Sequence, residues 1–171
     1  MIHKILVAYA SQAGSTQSVA EAIGQTLAES GATVDVLPMK DVKDLEPYRA
    51  VVAGSAIHGG KWLPEAMQFM GVQQASLKQK RCAVFLVCIT LAMPNADKYR
   101  PGLAAWLGPV RALVRPISEG YFAGSLDFSN IPLSFNSLLM RAAVAFGVLP
   151  KGDYRDWDAV RAWASSLAVQ L

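Results

Sequence analysis

Lys4-Ile5-Leu6-Val7-Ala8-Tyr9-Ala10-Ser11-Gln12-Ala13-Gly14-Ser15-Thr16-Gln17-Ser18-Val19-Ala20-Glu21 is an apolar run that breaks into hydroxyls and one glycine, then resumes with helical spacing. Ile5 to Ala8 are too continuous for a half-exposed strand and suit a parallel strand covered on both faces. Val19, Ala20, Ile23 and Leu27 repeat as one face of a helix. The segment between them therefore sits at a helix N-terminus, where free backbone N–H groups and the positive end of the helix dipole converge. Ser11, Ser15 and Thr16 add hydroxyls around Gly14, and a phosphate is the natural ligand.

Several phosphate-binding designs are excluded by what is missing. A Walker loop needs a Lys before its Ser/Thr, and no Lys or Arg lies between Ile5 and Met39. A dinucleotide fingerprint needs three glycines where only Gly14 is present. A receiver domain needs an acidic pair where the first strand ends in Ala10-Ser11. Cradling by hydroxyls and amides, without charge, is left.

Further along, Gly31 reads as a helix C-terminal cap, and Thr33 to Leu37 alternates as a second, more exposed strand. A short helical turn is expected over Asp41 to Leu45. Arg49 to Ser55 is the third strand, and a second loop follows it, leading to Pro64 at the start of a helix with Met67 and Met70. Arg81 to Ile89 is the fourth and most hydrophobic strand, with a third loop over Thr90 to Asp97. A helix from about Lys98 must be kinked or interrupted at Gly108-Pro109. Gly120 to Leu126 is the fifth strand, and the last helix starts near Asp156, burying Val160, Trp163, Leu167 and Leu171. Five strands alternating with helices predict one α/β domain over residues 1–171: a doubly wound five-stranded parallel sheet with helices on both faces. Ligands of such sheets bind outside the carboxyl ends of the strands, where the loops after the first, third and fourth strands meet.

The phosphate loop and these two further loops together resemble those of flavodoxins, whose first loop has the form Ser/Thr-x-Thr-Gly-x-Thr. Ser11, Gly14 and Thr16 match it, and Ala13 replaces a hydroxyl. The resemblance implies a flavodoxin-like fold with FMN as cofactor. Its phosphate would lie on Ser11, Gln12, Ala13, Gly14, Ser15 and Thr16. The flavin ring would lie between Ser55, Ala56, Ile57, His58, Gly59, Gly60 and Trp62 of the second loop and Thr90, Leu91, Ala92, Asn95 and Tyr99 beyond the fourth strand. Trp62 is expected to lie on the flavin ring, with Trp106, Trp157 and Trp163 in the core. Gly54-Ser55-Ala56-Ile57-His58-Gly59-Gly60, Ala123-Gly124-Ser125-Leu126 and Asp156-Trp157 resemble more closely the menaquinone-dependent protoporphyrinogen oxidase branch. That resemblance implies haem biosynthesis, a porphyrinogen substrate and a quinone acceptor. The branch carries a basic insertion after the fifth strand, whereas residues 130–153 here hold only Arg141 and Lys151.

That insertion is apolar. Ile131, Phe135, Leu138, Leu139, Ala142, Phe146 and Leu149 fall on one helical face, and Leu133, Met140, Val144 and Val148 make the opposite side apolar too. A helix greasy around most of its circumference is covered on both sides, within the chain or a homo-oligomer, or it touches a partner or membrane through 131–149.

Composition bounds the rest. With 53% hydrophobic and 17% charged residues in 171 positions, the chain can bury a core without disulfides or metal. No segment is apolar enough over enough length to span a bilayer, and no cleavable leader pattern opens the chain, so a cytoplasmic protein is expected, peripheral at the inner face of the membrane if the insertion docks there. Cys82 and Cys88, six residues apart on one strand, lie roughly 20 Å from each other and are expected as buried free thiols. No Cys/His/carboxylate cluster has metal-ligand spacing. A net charge of +3 and a pI near 9.0 favour an anionic partner, substrate or lipid surface. Only Lys78, Lys80 and Arg81 cluster, without a nucleic-acid motif, so no nucleic acid is expected. Three readings stand on the sequence: an FMN oxidoreductase passing electrons from an organic substrate to a quinone or redox protein, a one-electron carrier with no substrate of its own, and a flavodoxin-fold scaffold that has lost its cofactor.

Overall fold

A computed structural model describes residues 4–126, 135–146 and 152–171. Strands β1 (Lys4–Ala10), β2 (Thr33–Pro38), β3 (Ala50–His58), β5 (Arg81–Cys88) and β6 (Glu119–Ala123) form a parallel sheet in the order β2-β1-β3-β5-β6. A short strand β4 (Lys61–Trp62) folds back antiparallel on β3 as a sixth member. The expected five-stranded doubly wound sheet is present, and its strand order reverses between β1 and β3, the crevice where such sheets bind ligands.

Both faces are covered because the central strands are apolar and buried through their middles. Ile5, Val7, Val52, Phe85 and Phe122 face α1 (Ser15–Glu29) and α7 (Trp157–Ala168), meeting Val19, Ile23, Leu27, Val160 and Leu167. Leu6, Ala8, Val51, Val84 and Leu86 face the other side, under α2 (Pro64–Val72), α3 (Gln74–Leu77), α4 (Arg100–Trp106) and α5 (Gly108–Leu113). The edge strand β2 is only half-buried, in keeping with its alternating sequence. Trp163 stands half-buried beside Phe85 and Phe122 and donates its Nε1–H to Ser118 Oγ at 3.0 Å. Cys82 and Cys88 are buried free thiols, and burial pushes the Cys82 thiol up to about 12.

Local chemistry sets the boundaries. Gly31 turns the chain after α1 at φ +95°, its N–H on Ala28 O at 2.9 Å. Asp156 caps α7, its carboxylate accepting from Ala159 N at 3.0 Å. Gly108-Pro109 opens α5 as a new helix instead of kinking one long helix, because proline is tolerated in a first turn and not inside. The turn expected at Asp41 to Leu45 forms earlier, as a single 3₁₀ turn over Met39–Asp41 directly after Pro38, and Val42 is already extended. The fifth strand is shorter than expected: it breaks at Gly124, and Ser125–Leu126 (β7) pairs instead with Gly152–Asp153 (β8). Between them α6 (Phe135–Ala145) carries the insertion; Ile131, Leu133, Val148 and Leu149 lie outside the described residues. Among the described residues no helix is long and apolar enough to cross a membrane, and no cluster of His, Cys, Asp or Glu could hold a metal ion.

Gly54 is where the centre of the sheet is tightest. A Cβ there would stand 2.0 Å from the Phe85 ring, whose strand pairs with it directly. Because that ring is fully buried and cannot swing away, Gly54→Ala is expected to destabilise the protein by about 3 kcal/mol or more, checked by chemical denaturation. A loss below about 1 kcal/mol would mean that the sheet accommodates the methyl group by shifting.

Candidate functional site

The parallel register brings three strand ends to one level: Ala10 stands beside Ser55, and Ala56 beside Val87. The loops after β1, β3 and β5 consequently meet at one edge of the sheet.

The first loop, Ser11 to Gly14, is tied by Gly14 N donating to Ser11 Oγ at 3.0 Å. Gly14 sits at φ +90°, a conformation that glycine adopts without strain, and precedes α1 with no side chain capping the helix. The N–H groups of its first turn have no intrahelical acceptor. Ser15 is half-buried beside them, and Thr16 is fully buried, its Oγ1 without a hydrogen-bond partner among the described residues. A hydroxyl shut off from water and from every protein acceptor, at a helix N-terminus, is what a phosphate oxygen would satisfy. The residues present therefore fit FMN, and Ser11, Gly14, Ser15 and Thr16 would hold its phosphate. Gln12 and Ala13 are exposed and can add only main-chain groups there or, for Gln12, an amide.

Beside this loop lies a cavity of about 210 Å³ lined by Tyr9, Ser11, Gln12, Gly14, Gln17, Pro38, Lys40 and Glu65. Lys40 and Glu65 escape a reading that searches for charge only along the loop. The signal that finds Lys40 is strand pairing: β2 lies parallel to β1 with Pro38 opposite Tyr9, which carries the chain beyond it past the loop. The surroundings are mixed in sign, since burial and then the carboxylates of Glu21 and Asp41 push the Tyr9 phenol up.

The second loop is a β-hairpin. His58 pairs with Lys61, and Gly59 and Gly60 take φ +59° and +74°, the two positive values of a type I′ turn. Its base is pinned by Ser55, which is fully buried, donates to Ala56 O at 2.8 Å and accepts from Leu63 N at 3.0 Å. The Ser55 hydroxyl thus serves the hairpin and is not free for a cofactor. Trp62 needs a correction as well. It is 3% exposed, within the cluster formed by Leu63, Ala66 and their neighbours, because the turn sends β4 back toward the core. Its indole is buried there, and among the described residues its Nε1–H has no hydrogen-bond partner. Ala56 and Ile57 are half-buried, while His58 and Gly59 project into solvent at the tip. A Cβ on Gly60 would come within 3.1 Å of Trp106 Nε1, so Trp106, expected in the core, stands half-buried behind the hairpin tip.

The third loop follows β5 as a 3₁₀ turn over Ile89–Ala92, held by Thr90 N on Cys88 Sγ at 3.3 Å. Thr90, Leu91 and Ala92 are half-buried; Asn95 is exposed at φ +63°, a left-handed position that asparagine tolerates. Tyr99, 44% exposed just before α4, is the open aromatic of this loop. Gly124 completes the edge from the other side. A Cβ there would lie 3.5 Å from Ser15 Oγ, and its carbonyl accepts from Tyr154 N at 3.3 Å. The excursion that leaves β6 is thereby rooted against the start of α1.

Comparison with known proteins agrees with this geometry. A family model described as the flavodoxin domain matches residues 6–142. Flavodoxin 2 from Bacillus cereus, in its oxidised form, superposes with a TM-score of 0.61 at 23% identity over 98% of this chain and 99% of its own. A flavodoxin from the domain Archaea gives 0.56 at 19% identity over 98% and 97%. The rubredoxin oxygen:oxidoreductase of Desulfovibrio gigas gives 0.57 at 16% identity, and there the 98% of this chain that aligns spans only 35% of that protein. These likenesses establish a shared fold. No curated protein matches the chain. Through the match over residues 6–142, with the parallel sheet and its phosphate loop, the chain belongs to the flavodoxin-domain family, whose cofactor is FMN.

Proposed function

We propose that this chain is an FMN oxidoreductase that takes electrons from an organic donor and delivers them to a quinone or a redox protein. When bound, the flavin supplies the hydride and one-electron chemistry, and the protein supplies position and surroundings. Thr16, Ser15 and the first-turn amides of α1 hold the phosphate. The hairpin tip at His58 to Gly60 and the 90–99 loop flank the ring position, with Tyr99 as the open aromatic and Gly59 and Gly60 giving close main-chain approach.

The observation that carries the enzyme reading is the β7–α6–β8 excursion. It springs from Gly124, against Ser15, and α6 presents Leu138 at 50%, Leu139 at 54% and, just past its end, Phe146 at 83% exposure. A carrier that only docks to reductases has no use for such an exposed apolar surface, whereas a quinone or the membrane that holds it does. The pI near 9.0 supports the same reading, since an anionic lipid surface or substrate attracts a basic protein. The sequence resemblance to menaquinone-dependent protoporphyrinogen oxidases makes protoporphyrinogen and menaquinone the first donor and acceptor to assay.

Thr16→Val tests the phosphate contact. Loss of one hydroxyl donor to a charged oxygen removes ~1.5 to 3 kcal/mol, roughly ten- to a hundredfold in FMN affinity by fluorescence titration of the apoprotein. The apoprotein itself should be as stable as wild type or more so, because an unpartnered buried hydroxyl is exchanged for a methyl of similar shape. An unchanged affinity would remove Thr16 from the site.

Replacing Leu139 and Phe146 together with Ser tests the excursion. Both are exposed, so thermal stability should change little. Liposome co-sedimentation and quinone-coupled turnover should fall at least tenfold, with the flavin spectrum intact. Wild type that binds no vesicles and reduces no quinone, yet accepts single electrons from a reductase, would leave the carrier.

A further inference from the structure

Beyond this reading, the opposite end of the molecule holds a second cleft. It has a volume of about 450 Å³ and is lined by Leu77, Lys78 and Lys80 on one side and by Arg111 to Arg115 on the other. Lys78 and Lys80 lie between α3 and the start of β5, and Arg115 lies between α5 and the start of β6. The cleft is therefore at the amino ends of the strands, about 25 Å from the cofactor loops along eight-residue β5.

Four cations line it, and their own partners differ sharply. Arg111 is neutralised, because Glu119 accepts from its Nε and Nη2 at 2.6 Å each, and its Nη1 donates to Ala104 O. Lys80 spends one of three donors on Tyr48 O at 2.6 Å. Among the described residues no carboxylate pairs with Lys78, Lys80 or Arg115. Helix C-termini attract cations, but α3 and α5 have only four and six residues and correspondingly weak dipoles. Their end carbonyls are also in use: Leu113 O accepts from Gln74 Nε2 at 3.0 Å, and Val110 O accepts from Val114 N at 3.0 Å. The two walls are fixed relative to each other by that Gln74 bond and by Ile117 N on Cys82 O at 2.8 Å. Three positive charges are thus held at one concavity by rigid segments, with no carboxylate among the described residues paired to them. Buried Leu77 and Val114 supply an apolar floor.

We propose that this cleft binds a small anion of the phosphate class, its oxygens between Lys78 and Lys80 on one wall and Arg115 on the other. A concave site suits a compact polyanion better than a bilayer surface, which a protruding patch would meet.

The test is a titration of the FMN-saturated protein with inorganic pyrophosphate, followed by amide NMR shifts, which separate this cleft from the phosphate loop by residue. Saturable shifts at Lys78, Lys80 and Arg115 are expected. Affinity should fall at least tenfold in the K78Q/R115Q double variant and decline as NaCl rises from 50 to 500 mM. Both residues are exposed, so the melting temperature should stay at the wild-type value; if the double variant unfolds, K78Q and R115Q singly should each weaken binding about threefold. Shifts confined to residues 11–16, no shifts at all, or equal affinity in wild type and folded variants would overturn the proposal. So would sedimentation with phosphatidylglycerol vesicles that K78Q/R115Q abolishes while pyrophosphate gives no shifts, an outcome that makes the cleft a lipid contact.

Discussion

The first turn of α1 begins with N–H groups that no carbonyl of the helix can accept, and the rest of the architecture serves to aim them. Gly14 closes the loop at a positive φ, so the helix starts directly after a four-residue turn from a strand whose every residue from Ile5 to Ala10 is buried. Thr16, sealed beneath, adds a hydroxyl that nothing among the described residues satisfies. A buried polar group without a partner costs free energy, a cost that a bound anion would offset. The parallel register then lines up β3 and β5 with β1, so that the two other loops open on the same edge.

Much of this was legible because the chain's periodicities are clean. Apolar runs of strand length, interleaved with helical repeats and stopped by Gly31, Pro64, Gly108-Pro109 and Asp156, lead to the doubly wound sheet without any comparison. The site was legible where its chemistry is local. Ser11 to Thr16 form one continuous turn, and hydroxyls around a glycine at a helix start carry their meaning in order.

Where contacts are made across the chain, the sequence was a poorer guide. Trp62 follows Gly59-Gly60, and two adjacent glycines between apolar runs signal a type I′ hairpin, which folds the next strand back into the core. Taken as an open loop, the same residues put Trp62 on the ligand. The Ser55 hydroxyl is engaged by the same hairpin, donating to Ala56 O and accepting from Leu63 N, a pairing across eight residues that spacing along the chain does not reveal. Lys40 reaches the phosphate loop only through pairing of β2 with β1, which spacing along the chain does not reveal. Trp106 meets Gly60 across an α-helix and a loop, again a contact of tertiary origin.

The central claim is that uncharged donors at the start of α1 grip the phosphate of FMN, and the comparison of FMN with riboflavin measures it. Purified protein should show a flavin band in the visible spectrum. After removal of the flavin, the apoprotein should bind FMN at least a hundredfold more tightly than riboflavin, a difference of about 2.7 kcal/mol carried by the phosphate. Equal affinity for the two, or no flavin binding at all, would contradict the account.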